Sequence, residues 1–206
     1  MKKILCVVLA FCAILSLAGC GNNADTDKKT TATQTNVKQS EKTTENEDDG
    51  LLNGTYKVPL EDIYIGAPRY NMINEGYTQV FLDNDKKYFA FTCMNDDTAT
   101  DEKDAFDKTF PFFQNNISDE QDVNSLKDVT NEEVVVNSIP TIRTKGTISA
   151  GRHPVYDAFY YGYSFVFNGY PCLVCGAVID ESQPQSEIDE IIETVDAMMK
   201  TVRDHE

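Results

Sequence analysis

The stretch with the tightest hold on the fold is "AFYYGYSFVFNGYPCLVCGAVID", residues 158–180. Asn168-Gly169 is the pair preferred by a two-residue type I′ hairpin turn, because both central residues need positive φ. With the turn there, residues whose numbers add to 337 face each other. Phe167 then meets Tyr170, Phe165 meets Cys172, Tyr163 meets Val174, Tyr161 meets Gly176 and Phe159 meets Val178. Side chains alternate along a strand, so the odd-numbered aromatics from 159 to 167 share one face. Tyr160, Ser164, Val166, Leu173, Cys175 and Ala177 fall on the other. Both faces are apolar enough to need cover, which predicts helices on both sides of this sheet. Pro171 falls in a non-hydrogen-bonded pair, tolerable at a strand start or a sheet edge.

The remaining elements follow from the same periodicities. "GYTQVFLDNDKKYFAFTC" (76–93) reads as two strands joined through Asp83-Asn84-Asp85-Lys86, with Phe89, Phe91 and Cys93 on one face. "NDDTATDEKDAF" (95–106) begins polar and becomes a helix that Pro111 interrupts. Ser118-Asp119-Glu120-Gln121 matches a capping box, and Val123, Leu126 and Val129 follow at helical spacing. "EEVVVNSIP" (132–140) is a β-branched strand ended by Pro140, with "TIRTKGTIS" (141–149) continuing as strand. The chain closes on an amphipathic helix capped by Ser186, with Ile188, Ile191, Ile192, Val195, Met198, Met199 and Val202 in one stripe. That stripe predicts a lid for the aromatic face. The fold class is therefore α+β, an antiparallel sheet with helices over both faces and a long C-terminal amphipathic helix.

The order of an early hairpin, a helical middle, the strand "VVVNSIPTIR", a long aromatic hairpin and the closing helix "IDEIIETVDAMMKTVR" resembles the photosystem II extrinsic subunit P family and its bacterial lipoprotein relatives. The likeness spans most of 54–204 and rests on hydrophobic pattern and element order. It implies a PsbP-like α/β/α sandwich and a docking role rather than chemistry. It carries over no functional residue.

The first fifty residues answer a different question. Met1-Lys2-Lys3 and the apolar run "ILCVVLAFCAILSLAG" have the layout of a secretory signal, too short to span a bilayer comfortably. Leu17-Ala18-Gly19-Cys20 resembles the lipobox of bacterial lipoproteins. That resemblance implies cleavage before Cys20, diacylglyceration of its thiol, and Cys20 as the mature N-terminus. Two acyl chains give stable attachment where one is marginal. Between Gly21 and Gly50 the apolar side chains are Ala24, Ala32 and Val37, which predicts a disordered, Thr-rich tether. Thirty flexible residues reach about 30 Å root-mean-square. The expected organisation is a signal over 1–19, lipidated Cys20 and tether over 20–50, and one folded domain over 51–206.

The chain has 18 Lys and Arg against 34 Asp and Glu. Lys2 and Lys3 leave with the signal, and four Lys with seven acids lie in the tether, so the folded part carries 12 basic and 27 acidic residues, a net of −15. Such a domain repels nucleic acid and anionic headgroups, both of which want basic patches. Of six cysteines, Cys6 and Cys12 fall in the signal and Cys20 carries lipid, leaving Cys93, Cys172 and Cys175. An odd number leaves at least one thiol free within a monomer.

No constellation of residues supplies a catalytic centre. Cys172 and Cys175 form a CxxC, but inside a strand they point to opposite faces about 10 Å apart. A disulfide needs Cα atoms within about 7 Å, and zinc by this pair fails for the same reason. They read as buried structural thiols; a bridge from Cys93 to one of them stays open. His153, beside Pro154, and the penultimate His205 read as exposed rather than catalytic. Asp83-Asn84-Asp85 and Asn95-Asp96-Asp97 have the oxygens of a calcium loop but not the EF-hand spacing. The aromatic ladder reads as core, with the tyrosine hydroxyls at its margin each needing a partner.

The sequence thus predicts a non-enzymatic, extracytoplasmic lipoprotein held on the membrane by Cys20, Gram-positive by its Lys-, Asn- and Thr-rich character, docking another envelope protein and using no cofactor, metal or nucleic acid. The alternative is a small-ligand or calcium-binding module accessory to an envelope system. A thiol enzyme using Cys172 or Cys175 is a third reading, tested by alkylation of the native domain.

Overall fold

A computed structural model describes residues 50–58, 61–75, 78–83, 86–117, 126–150 and 156–205. Their largest element is a seven-stranded sheet whose order is β3-β4-β5-β9-β8-β7-β6. Its strands are β3 (Asn71–Glu75), β4 (Thr78–Asp83), β5 (Lys87–Cys93), β6 (Lys127–Val136), β7 (Ile139–Ala150), β8 (Tyr156–Phe167) and β9 (Tyr170–Val178). Every neighbouring pair is antiparallel. A separate two-stranded ribbon, β1 (Leu52–Lys57) with β2 (Tyr64–Pro68), and two helices, α1 (Glu102–Ile117) and α2 (Gln185–Lys200), complete the described residues. The fold class is α+β.

The β8–β9 hairpin has the register that its turn dictates. Phe159 pairs with Val178, Tyr163 with Val174, Phe165 with Cys172 and Phe167 with Tyr170. Asn168 at φ 53° and Gly169 at φ 88° form the turn. Pro171 lies second in the central strand β9, and its carbonyl accepts from the Met94 amide at 3.1 Å. Alternation then divides the core. One cluster holds Phe159, Tyr161, Tyr163, Phe165, Cys172, Val174 and Val178 with Phe89, Phe91 and Cys93, and with Ile191, Val195, Met198 and Met199 of α2. The other holds Tyr160, Leu173, Cys175 and Ala177 with Ala90, and with Phe110, Phe113 and Ile117 of α1.

Glycine lets both clusters close. A Cβ on Gly162 would stand 2.6 Å from the Cys175 Cβ and 2.8 Å from the Tyr160 hydroxyl, so the Tyr160 ring can lie along its own strand. A Cβ on Gly176 would meet Ile191 Cγ2 at 3.1 Å, which lets α2 approach β9.

Four expectations need correction. Helix α1 runs through Pro111 rather than stopping there. An interior proline costs about 3 kcal/mol, but the amide it removes would have reached back to exposed Asp107, while Phe110, Phe113 and Ile117 are buried. Burying such side chains contributes about 1.5–3 kcal/mol each, so packing wins. Pro140 does not end a strand. Asn137 and Ser138, at φ 52° and 66°, form a two-residue turn, and Pro140 lies second in β7 opposite Val135. The β7–β8 ladder begins only at Thr141–Phe165, so the missing amide faces no partner strand. Ser186 is not the cap of α2. Pro184 occupies that position with no side-chain cap, its carbonyl accepting from Glu187 N and Ile188 N at 3.0 and 3.1 Å. The helix expected after residue 118 falls mostly outside the described residues, and Val129 at its end is strand in β6.

The β1–β2 ribbon is stitched to the end of α2. Tyr64 and Arg203 exchange backbone hydrogen bonds of 2.9 and 3.1 Å. Thr201 Oγ1 accepts from Gly66 N and donates to Met198 O, both at 2.6 Å. We predict that Gly162→Ala lowers stability by roughly 2–3 kcal/mol, the cost of forcing a methyl into a filled core, whereas Gly169→Ala costs about 1 kcal/mol of backbone strain in open space. Urea midpoints of the two variants check the ranking; equal losses would contradict the packing given for Gly162.

Candidate functional site

Along α2, where its apolar stripe meets the sheet, charged and hydroxyl side chains gather at two places. The first is built on Glu190. Arg69 Nη2 donates to its Oε1 at 2.8 Å, and the Tyr70 hydroxyl donates to the same oxygen. Lys87 Nζ donates to Oε2 at 2.7 Å. Lys87 opens β5 and its side chain is only 9% exposed, so its charge needs that carboxylate. The Tyr70 ring stacks on Phe89 at 5.3 Å, and the Lys87 ammonium and the Arg69 guanidinium each approach that ring at 5.6 Å. Burial pushes the Glu190 carboxyl up, but Lys87, Tyr70 and Arg69 outweigh it and hold the group below the usual carboxylate range. Burial, with Glu190 second, raises the Tyr70 hydroxyl.

The second centre is built on Asp196. Its Oδ1 accepts from the hydroxyls of Tyr161 and Tyr163, each at 2.7 Å, and those two oxygens lie 3.1 Å apart. The rings meet edge to face at 5.7 Å and 81°. Arg143 on β7 stands opposite Tyr163 and bridges to Glu132 on β6, so polar contacts cross three strands to reach the helix. Burial raises both tyrosines, Tyr161 strongly. Glu132 and Tyr163 raise the Arg143 guanidinium.

Chemically, the groups named in each centre bond to one another. The tyrosines keep their protons under burial and donate hydrogen bonds to a carboxylate, so neither is poised as a base. Glu190 accepts from three donors. These are anchors that fix α2 by charge-assisted hydrogen bonds where the apolar stripe ends. Neither centre was singled out from sequence, apart from the tyrosine hydroxyls. The available signal was a carboxylate at each margin of the α2 stripe facing a tyrosine-rich strand.

The other sequence candidates are placed as follows. Cys172 lies in the α2 cluster and Cys175 in the α1 cluster, on opposite faces of β9. Burial pushes both thiols well above the ordinary cysteine range. Asp97 gives its carboxylate to the Thr98 amide at 2.7 Å and to Lys108 Nζ at 3.2 Å, drawing the 95–97 loop onto α1. Asn84 and Asp85 lie outside the described residues, as do Cys20 and His153. His205 is exposed, beside Asp204. Among the described residues, no three His, Cys, Asp or Glu side chains gather as metal ligands. No described helix is long and apolar enough to cross a membrane.

The sheet's two edges offer the exposed apolar residues. Val135 is 70% and Val129 43% exposed on β6, and Met72 is 46% exposed on β3. Edge β6 carries the devices that protect an open strand: Glu132, Glu133, and an irregularity between Lys127 and Thr130 with Asp128 at φ 52°.

No family model matches the chain, and no curated protein matches it. Among solved structures, a protein from Bacteroides thetaiotaomicron VPI-5482 is similar at a TM-score of 0.42 and 13% identity, over 72% of this chain. The chain spans about half of that protein, 47% of its length. A likeness of that size carries no argument about fold or function.

We predict that Glu190→Gln costs roughly 2 kcal/mol, in the range for a hydrogen bond to a charged group, because it leaves the Lys87 charge with weaker acceptors. The pH dependence has a definite sign. Glu190 titrates lower folded than unfolded, where a glutamate sits near about 4.3. Its contribution is therefore full above about pH 5 and is lost as pH falls through the unfolded value toward the folded one. Denaturation of wild type and Glu190→Gln from pH 7 to pH 3 checks this; the gap should narrow on acidification, and a constant gap would contradict it.

Proposed function

We propose that this chain is a membrane-anchored, extracytoplasmic lipoprotein without enzymatic activity, whose domain docks a protein partner at a Gram-positive cell envelope. The observation that carries the reading is Leu17-Ala18-Gly19-Cys20 after a basic-apolar leader and before a polar, Thr-rich stretch. Diacylglyceration of Cys20 fixes the chain to the outer surface, and a flexible tether of thirty residues has a root-mean-square reach of about 30 Å. A net charge of −16 on the whole chain disfavours nucleic acid and anionic lipid as what the domain itself binds.

The non-enzymatic reading is supported by the use of the buried polar groups: Glu190, Lys87, Asp196, Tyr161 and Tyr163 hold one another. The finer reading of the fold, a PsbP-like sandwich with helices over both faces, is supported by the grouping of α1 and α2 with opposite sets of β8 and β9 side chains. Docking is supported by the exposed valines of edge strand β6.

The test is chemical cross-linking in the native membrane followed by recovery of the protein. The expected outcome is one stoichiometric partner with wild type, lost with Cys20→Ala and at least tenfold weaker with Val135→Asp. A partner retained in full by Val135→Asp would move the interface off β6. Turnover of a defined substrate by the purified protein would overturn the non-enzymatic reading.

A further inference from the structure

Three thiols remain in the described domain, and two of them face each other. Cys93 closes β5 and Cys172 lies directly opposite it on β9. The hydrogen-bonding phase of this ladder is fixed at both ends: Met94 N donates to Pro171 O at 3.1 Å, and Ile179 N donates to Lys86 O at 2.6 Å. Both pairs, Met94 with Pro171 and Lys86 with Ile179, occupy hydrogen-bonding positions of the same register. Positions alternate along an antiparallel ladder, so Cys93–Cys172, one step in from Met94–Pro171, is a non-hydrogen-bonded pair. There the Cα atoms stand about 4.5 Å apart and the side chains come closest, inside the span of about 4.4–6.8 Å that a disulfide bridges. Both side chains belong to the α2 cluster, whereas Cys175 belongs to the α1 cluster.

We propose that Cys93 and Cys172 form a cross-strand disulfide by exchange with a disulfide oxidant, and that Cys175 remains a thiol. The step is ordinary thiol–disulfide exchange. The Cys93 thiolate attacks one sulfur of the oxidant RSSR and expels RS⁻, leaving a mixed disulfide on Cys93. The Cys172 thiolate attacks the Cys93 sulfur and expels the second RS⁻. Two cysteine protons end on two RSH, and the two electrons lost by the cysteines reduce the oxidant. Cys93 and Cys172 are 3% and 0% exposed, so exchange takes place during folding or on local opening of the β5–β9 ladder. Burial raises Cys172 further, which slows exchange in the closed domain.

The position gives the bond a consequence. The β5–β9 ladder joins β3, β4 and β5 to β9, β8, β7 and β6. A disulfide there closes a loop of about 80 residues across that seam, in the range where a bridge raises the melting midpoint by about 10 °C for a domain of this size.

The experiment refolds the purified full chain in mixed reduced and oxidised glutathione, traps free thiols under denaturing conditions, and maps linkages by peptide mass spectrometry. The expected result is a Cys93–Cys172 linked peptide, 2 Da lighter than the reduced pair, in wild type and in Cys175→Ser. It is absent from Cys93→Ser and Cys172→Ser. The oxidised Cys175→Ser protein should melt about 10 °C above its reduced form. Because wild type and Cys175→Ser carry the result, misfolding of the other variants does not obscure it. Complete alkylation of Cys93 after oxidation, or its linkage to any other cysteine, would overturn the proposal.

Discussion

The structure depends on the register of one hairpin. Asn168-Gly169 sets which residues of β8 and β9 face each other, and because side chains alternate with a period of two, it also sets which face each residue enters. A slip of one residue would carry Phe159, Tyr161, Tyr163 and Phe165 to the side of α1. It would strand Tyr161 and Tyr163 away from Asp196 on α2. The aromatic set and the carboxylate work together: the rings supply apolar area, and their hydroxyls would be costly to bury without the acceptor that the helix brings.

Glu190 performs the same office at the other end of the α2 contact. It neutralises Lys87, which opens β5 and is nearly enclosed. The helix is thus held by a stripe of aliphatic and methionine side chains bounded by two carboxylates, each facing donors on the sheet. This division of labour explains why an acidic chain places two of its carboxylates close to an apolar core. Glu190 Oε1 and Oε2 and Asp196 Oδ1 each accept from donors of the protein itself.

What could be read from the sequence was local and periodic. The pairings of β8 with β9 follow from a turn dipeptide, and the β4–β5 hairpin and the face shared by Phe89, Phe91 and Cys93 follow from a period of two on either side of a polar link. The apolar stripe of α2 follows from a period of 3.6. What escaped was set by competition or by distance. Pro111 and Pro140 are breakers by rule, yet one is overridden by buried phenylalanines and the other sits beyond the end of a ladder. Asn137-Ser138 forms a tight turn without glycine, because asparagine tolerates the left-handed region and serine follows it there. Glu190 reaches Tyr70 and Lys87 more than a hundred residues back in the chain, and no window along the sequence reports such a contact.

The proposed carriage of the domain on a lipidated Cys20 is tested most directly at the mature N-terminus. Intact-mass and N-terminal peptide analysis of the protein extracted from its own membranes should find a chain beginning at Cys20, heavier than its sequence by a diacylglyceryl group on the thiol. An N-terminus elsewhere, or an unmodified Cys20 in a chain that retains residues 1–19, would contradict the account.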